Sequence, residues 1–289
     1  MYASTLGPAT LPEVSLKLGD RLLDLRTRAL VMGILNRTPD SFYDQGATFA
    51  MDAFLAKAEA HVRAGADLLD VGGVKAGPGE EVTEAEELER VVGAVAALVA
   101  RFDVPVSVDT WRASVAAACY EQGAVVGNDI SGFGDPDYLK VAAAAGASVI
   151  ATHIRLKPRV ADPNPVYDDL VADVEAFLMQ RASWAEEHGI APEQVIIDAG
   201  LDLGKTAEQS KVLLASSARL ASHGYPLLLS ASNKTFLGVE FGLEVGERAE
   251  ASWSANALGI WLGCRVLRVH DVASTVQVRD TIAAILEAA

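Results

Sequence analysis

Eight short apolar runs, each followed by a helix-like stretch, predict an α/β protein with the TIM (β/α)8 barrel fold. The runs are too short for helices and rich in Val, Ile and Leu, as parallel strands covered on both faces are. Their spacing along the chain is nearly even, which favours a closed barrel over an open doubly wound sheet. Glycine closes several of the intervening stretches, as it does at helix C-termini.

The elements follow in order. Residues 1–28 precede the first barrel strand, and "SLKLGDRLLDL" within them predicts a β-hairpin around Gly19-Asp20 that plugs the barrel bottom. Strands are predicted at 29–35, 66–72, 104–109, 123–129, 147–153, 194–199, 225–231 and 265–270. Helices are predicted at 51–65, 83–102, 111–123, 136–146, 166–189, 207–224, 246–263 and 273–288. Thr83 with Glu86 three residues on is a capping-box pattern. Repeated AGA and QGA steps at 64–66, 122–124 and 145–147 mark helix-to-strand turns. No low-complexity linker interrupts the chain, so residues 1–289 read as one domain.

Composition narrows the function. The chain is 51% hydrophobic with a net charge of −15. Such a surface repels nucleic acid and anionic membranes, so neither is an expected partner. An anionic small substrate would need local cations, which makes each Lys and Arg worth placing. The N-terminus lacks the basic and apolar segments of a signal peptide, and no run of 18 apolar residues exists to span a membrane. The two cysteines, Cys119 and Cys264, read as buried thiols in a reducing, cytoplasmic setting.

In a TIM barrel the site lies where strands run into their following loops. Every such tip here is polar. Asn36 to Ser41 follow the first strand, Asp70 ends the second, Asp109 the third and Asn128-Asp129 the fourth. His153 and Arg155 end the fifth, Asp198 the sixth with Lys205 beyond, and Ser232, Asn233 and Lys234 follow the seventh. Arg268, His270 and Asp271 end the eighth. Singly, several have plainer readings: Asp109 and Asp271 as helix N-caps, Asp129 as a turn residue. As a set, Asp109, Asn128, Asp198 and Lys234 suit a flat heterocycle with N–H donors and a carbonyl acceptor. Asn36, Arg268 and His270 suit an anion, with Mg²⁺ on Asn36.

These tips, in this order, resemble those of the dihydropteroate synthase family. The similarity rests on "MGILNRTPDSF" (32–42), "AGADLLDVGG" (64–73), "VSVDT" (106–110), "NDISG" (128–132), "GKT" (204–206), "KTFLG" (234–238) and "RVHDV" (268–272). That family joins 7,8-dihydropterin pyrophosphate to p-aminobenzoate and releases pyrophosphate. The resemblance implies that Asp109, Asn128, Asp198 and Lys234 grip a pterin. It implies that Arg268 and His270 handle pyrophosphate, that Asn36 binds Mg²⁺, and that the chain forms a homodimer.

The departures fall on the second-substrate side. Where the family carries Gly-Gly-Glu-Ser-Thr-Arg-Pro-Gly, this chain has Gly72-Gly73-Val74-Lys75-Ala76-Gly77-Pro78-Gly79. The family's Ser-Arg-Lys is Ser232-Asn233-Lys234, its Phe in the sixth loop is Leu203, and a glycine there is Asp202. Lys75, Ala76, Gly77, Ser232, Asn233 and Leu203 thus mark an altered p-aminobenzoate side. The expectation is a homologue that keeps the pterin and pyrophosphate site but condenses p-aminobenzoate weakly or not at all. An active synthase is the alternative. A different second substrate, a methyltetrahydrofolate-binding methyltransferase and a non-catalytic barrel also stay open.

Overall fold

A computed structural model describes residues 8–9, 11–37 and 46–288. Strands β1 (Ser15–Leu18) and β2 (Arg21–Asp24) pair antiparallel around Gly19, whose φ of 60° suits the tight turn. The eight following strands are β3 (Leu30–Asn36), β4 (Leu68–Gly72), β5 (Val106–Asp109), β6 (Val126–Asp129), β7 (Ser148–Thr152), β8 (Val195–Asp198), β9 (Leu227–Leu229) and β10 (Cys264–Val269). They pair in parallel and close into a barrel in chain order, with β10 returning to β3. Each predicted strand is present. The hairpin is too.

Helices α1 (Gly46–Arg63), α2 (Glu84–Arg101), α3 (Ala113–Glu121), α4 (Tyr138–Ala145), α5 (Leu170–Glu187), α6 (Ala207–Ala215), α7 (Ser217–Ala221), α8 (Ala249–Trp261) and α9 (Val272–Ala288) connect and surround the strands. The Thr83–Glu86 capping box opens α2 as expected. Gly65, Gly123 and Gly146 hold φ values of 92°, 98° and 64°, the left-handed geometry anticipated after these helices. Three boundaries differ most from expectation, and the first is that α1 begins at Gly46 rather than residue 51. The helix expected over 207–224 is broken, because Ser216 leaves helical geometry and Arg219 N–H donates to its carbonyl to start α7. Helix α5 begins at Leu170 rather than residue 166, because the Asp169 carboxylate accepts from Ala172 N–H and caps it there.

The two-residue period of a strand explains where the site forms. Val31, Leu69, Val108, Ile197 and Leu267 face outward and pack with the helices in one apolar cluster. Leu30, Met32, Leu68, Val126, Ile150, Ile196, Leu228 and Val266 face inward and pack with Val14, Leu16, Leu18 and Leu25 of the hairpin segment. The hairpin therefore stoppers the barrel at the strands' N-terminal ends. One rung higher, the same inward faces carry Asp70, Asp109, Asn128, Thr152, Asp198 and Arg268. The barrel interior thus turns from apolar at its base to polar at its mouth. Cys119 and Cys264 are buried, unbridged thiols, as read from the sequence.

Candidate active site

The mouth is organised by one cation between two acids. Arg268 donates from Nε to Asp70 Oδ2 and from Nη2 to Asp109 Oδ2, each at 2.7 Å. Asp70 is fully buried, and its remaining neighbour is the Asn128 amide at 3.3 Å and 3.4 Å. Burial raises the Asp109 carboxyl above the ordinary carboxylate range, Arg268 opposes that rise, and Asp70 adds to it. Asp109 is thus part of a paired charge cluster and not the helix cap that its position also allowed.

Asp198 is fixed from two sides. It accepts from Gly200 N–H at 2.8 Å and from the Thr152 hydroxyl at 3.3 Å. Gly200 has a φ of 65°, and a Cβ there would lie 2.0 Å from the His153 carbonyl oxygen. Only glycine can make this turn, which brings the loop after β8 tight against the end of β7. Lys234 reaches across from the loop after β9 and donates to the Leu201 carbonyl. Its ammonium is disfavoured by burial and favoured by Asp198 and Asp202. Arg268 and Asp109 lie within its electrostatic reach as well. The four residues expected to grip a heterocycle therefore share one polar mouth.

The anion-side residues fall beside them. Ser232, grouped by sequence with the altered side, lies instead against His270: its Oγ is 3.0 Å from His270 Nδ1 and accepts from His270 N–H at 3.3 Å. His270 is open to solvent at the rim; its partial enclosure and the nearby Arg268 push its imidazole down to about 4. A neutral His270 can accept or donate one hydrogen bond to an incoming phosphate. Asn36 ends β3 in register with Gly72 and is half-buried. The segment 38–42 of the first-loop motif lies outside the described residues.

Other tips have structural work. Asp271 accepts from Ser274 N–H at 3.1 Å and caps α9. Asp129 accepts from Ser131 N–H at 2.6 Å and Phe133 N–H at 2.8 Å, holding the turn after β6. Both plainer readings of these two residues hold. Lys205 is buried, with its ammonium 2.9 Å from His153 Nδ1, 2.9 Å from the Gly200 carbonyl and 3.0 Å from that of Leu203. Burial lowers it to about 7, and burial with Lys205 beside it lowers His153 to about 3. This pair stitches β7 to the loop after β8.

Of the six residues that mark the altered side, Ala76, Gly77 and Leu203 come together, while Ser232 and Asn233 line a separate cavity. Ala76, Gly77, Pro78, Ile154, Leu156, Asp202 and Leu203 line a cavity of about 140 Å³. Asp202, at the position where the family has glycine, holds a left-handed φ of 63°. Its carboxylate accepts from Thr235 N–H at 2.6 Å and from the Ser210 hydroxyl at 3.2 Å. These bonds offset the roughly 1 kcal/mol that such a conformation costs. Asn233 is likewise left-handed, with a φ of 60°. Lys75 lies exposed beside Ala76.

The sequence reading passed over Asp70 as a site residue, although its place in "LLDVGG" was a signal: an acid on an otherwise apolar central strand requires a partner. Nothing local pointed to Arg268 as that partner, since the two are 198 positions apart.

Comparison with known proteins identifies the family. Residues 32–270 match the family model of the pterin binding enzymes. The dihydropteroate synthase of Synechocystis sp. is 38% identical over 268 residues, covering 91% of this chain and 92% of its own. The inactive dihydropteroate synthase 2 of Mycobacterium tuberculosis is 41% identical over 264 residues, covering 89% of this chain and 83% of its own. Among solved structures, Xanthomonas albilineans dihydropteroate synthase with 4-aminobenzoic acid superposes with a TM-score of 0.87 at 37% identity, covering 95% of this chain and 98% of that one. The chain is a pterin-binding TIM-barrel protein, and within that class it belongs to the dihydropteroate synthase family.

Proposed function

We propose that this protein binds a 7,8-dihydropterin pyrophosphate in the barrel mouth and condenses it with p-aminobenzoate poorly or not at all. One contrast carries the reading. Asp109, Asn128, Asp198 and Lys234 share one polar mouth, while Ala76, Gly77, Asn233 and Leu203 carry no hydroxyl, guanidinium or aromatic ring at the positions where the family has them. The relatives alone do not decide activity, because synthases and inactive homologues are similarly close, at 38% and 41% identity.

In this reading Asp109, Asn128 and Asp198 receive the N–H groups of the heterocycle and Lys234 donates to its carbonyl. The same carboxylates stabilise positive charge developing on the pterin methylene as pyrophosphate leaves. Arg268, His270 and Ser232 receive the departing anion, which requires Arg268 to exchange part of its carboxylate pairing for phosphate oxygens. Asn36 would supply one oxygen for Mg²⁺. Among the described residues no group of three His, Cys, Asp or Glu side chains forms a metal cage. One amide oxygen suits a Mg²⁺ that takes its other ligands from water and phosphate, where it would neutralise the leaving group.

The protein is further read as a cytoplasmic homodimer; among the described residues no helix is long and apolar enough to cross a membrane. Exposed Leu258 and Ile285 flank a groove lined by Trp253, Ala257, Val278 and Ile282 that a second copy could cover. Light scattering giving one chain per particle would refute the dimer.

Calorimetric titration with the pterin pyrophosphate, followed by steady-state turnover with p-aminobenzoate, tests the function. Binding without appreciable turnover is expected. Turnover at the rate of an ordinary synthase would refute the loss of condensation, and absence of pterin binding would refute the retained site.

A further inference from the structure

The middle of the loop after β4, residues 76–79, has no polar side chain with which to order itself. From Ala76 to Gly79 it offers a methyl group, a proline ring and two glycines. Its backbone is nevertheless held, and the holder comes from elsewhere in the chain. Arg159, in the loop between β7 and α5, donates from Nη1 to the Lys75 carbonyl at 2.9 Å. Its Nη2 donates to the Glu80 carbonyl, and its backbone N–H donates to the Ala76 carbonyl at 3.2 Å. One residue thus spans both ends of the loop. A Cβ at position 79 would sit 3.0 Å from Arg159 Nη2, so the glycine there leaves the guanidinium its space.

Arg159 acts from a firm base. Its φ of 65° is left-handed, an unfavourable conformation for arginine that the surrounding bonds must maintain. Arg155 and Asp162 close the segment around it with paired bonds of 2.5 Å and 2.6 Å. Tyr167 OH donates to the Gly204 carbonyl at 2.8 Å, and Gln209 Nε2 donates to the Pro165 carbonyl at 3.0 Å. The β7–α5 loop is therefore rooted in the β8–α6 region, and Arg159 transmits that rigidity to the loop after β4. Arg159 and the residues it fixes wall the cavity beside Leu203.

We propose that Arg159 is a specificity-determining latch. It shuts the loop after β4 onto the β7–α5 loop before any second substrate arrives, and so controls entry of p-aminobenzoate. The inference rests on the proposed function for the identity of that substrate, but not for the latch itself. The physical reason is that a planar guanidinium can bridge two carbonyls at once, which a lysine ammonium at the same place would not do with fixed geometry.

Two measurements on the full chain test it. A lysine-specific endoprotease cuts the Lys75–Ala76 bond only when the Lys75 carbonyl, held by the Arg159 guanidinium, is released. Arg159→Ala is expected to speed that cut at least about tenfold, as loss of the two guanidinium–carbonyl hydrogen bonds implies, the main-chain bond to Ala76 being kept. The thermal midpoint, measured in parallel, should stay nearly unchanged, separating loop release from global unfolding. In the presence of the pterin, the same variant is expected to bind p-aminobenzoate more tightly by calorimetry, with pterin affinity unaltered. Equal cutting rates would overturn the latch. Faster cutting with unchanged p-aminobenzoate binding would overturn its control of entry. Failure of the unmodified chain to bind the pterin would instead overturn the proposed function, and the cutting rate would still decide the latch.

Discussion

Replacing Arg268 with methionine strands two acids in the barrel mouth, and the cost can be worked from the geometry. Arg268 makes a 2.7 Å bond to each of Asp70 and Asp109, whose side chains are 0% and 15% exposed. Without it, Asp70 keeps only the long contacts to Asn128. Breaking a buried pair from one side typically costs about 3–5 kcal/mol, because the remaining charge is left unpaired. Unfolding entropy of about 2.1 cal/mol/K per residue gives about 0.6 kcal/mol/K for a chain of this length. The melting temperature should therefore fall by about 5–8 °C. The loss should also depend on pH. Burial already raises Asp109, and Arg268 is the leading influence opposing it. In the variant the folded state should bind more protons than the unfolded state above about pH 4, so destabilisation should deepen as pH rises. The assay is chemical denaturation at about pH 5 and 8 of Arg268→Met, Asp70→Asn and the double variant. A coupling energy of about 2–3 kcal/mol is expected at the higher pH. Coupling below about 0.5 kcal/mol, or a loss that is flat with pH, would refute the view that this cation holds the mouth together.

Lys234→Ala should weaken pterin affinity about tenfold or more, read by calorimetry, since a charge-assisted hydrogen bond is lost; unchanged affinity would remove Lys234 from the site. Lys75→Ser, Ala76→Thr and Gly77→Arg together should improve p-aminobenzoate use in a turnover assay, and no gain would place the block elsewhere. Adding Asn233→Arg should cost about 1 kcal/mol of stability, because that backbone is left-handed and asparagine tolerates it better. The folded-state His153 lies at about 3 against an ordinary 6.5, so the unfolded state takes up its proton first and stability should fall as pH drops across that interval. His153→Gln should flatten that part of the thermal midpoint profile, and an unaltered slope would show that His153 does not set it. Gly200→Ala should lose more than about 3 kcal/mol, since strained backbone and a direct clash with the His153 carbonyl add; a normal thermal midpoint would refute the tight turn.

The barrel was legible in the sequence for a physical reason. Strand, helix and turn signals are local: apolar runs, the Thr83–Glu86 box and the glycines at 65, 123 and 146 each act within a few residues. Once eight strands close in order, the polar tips must meet, so Asp109, Asn128, Asp198 and Lys234 could be grouped before any geometry was known. The departures at 75–77, 203 and 233 were equally readable, being differences of residue type at matched positions.

Pairing across the mouth was not readable. Whether Asp109 caps a helix or faces Arg268 depends on which way its strand is turned, and Asp129 and Asp271 resolved the opposite way to Asp109. The sequence by itself determined the fold and which strand tips meet at the mouth, because local patterning and strand order suffice for both, but it gave Asp70 no role there. Only the tertiary structure decided who bonds to whom: Arg268 between two acids, Lys205 against His153, and Arg159 on the backbone of the loop after β4. Those bonds join residues dozens to hundreds of positions apart, and carbonyl acceptors carry no side-chain signature for a sequence to display.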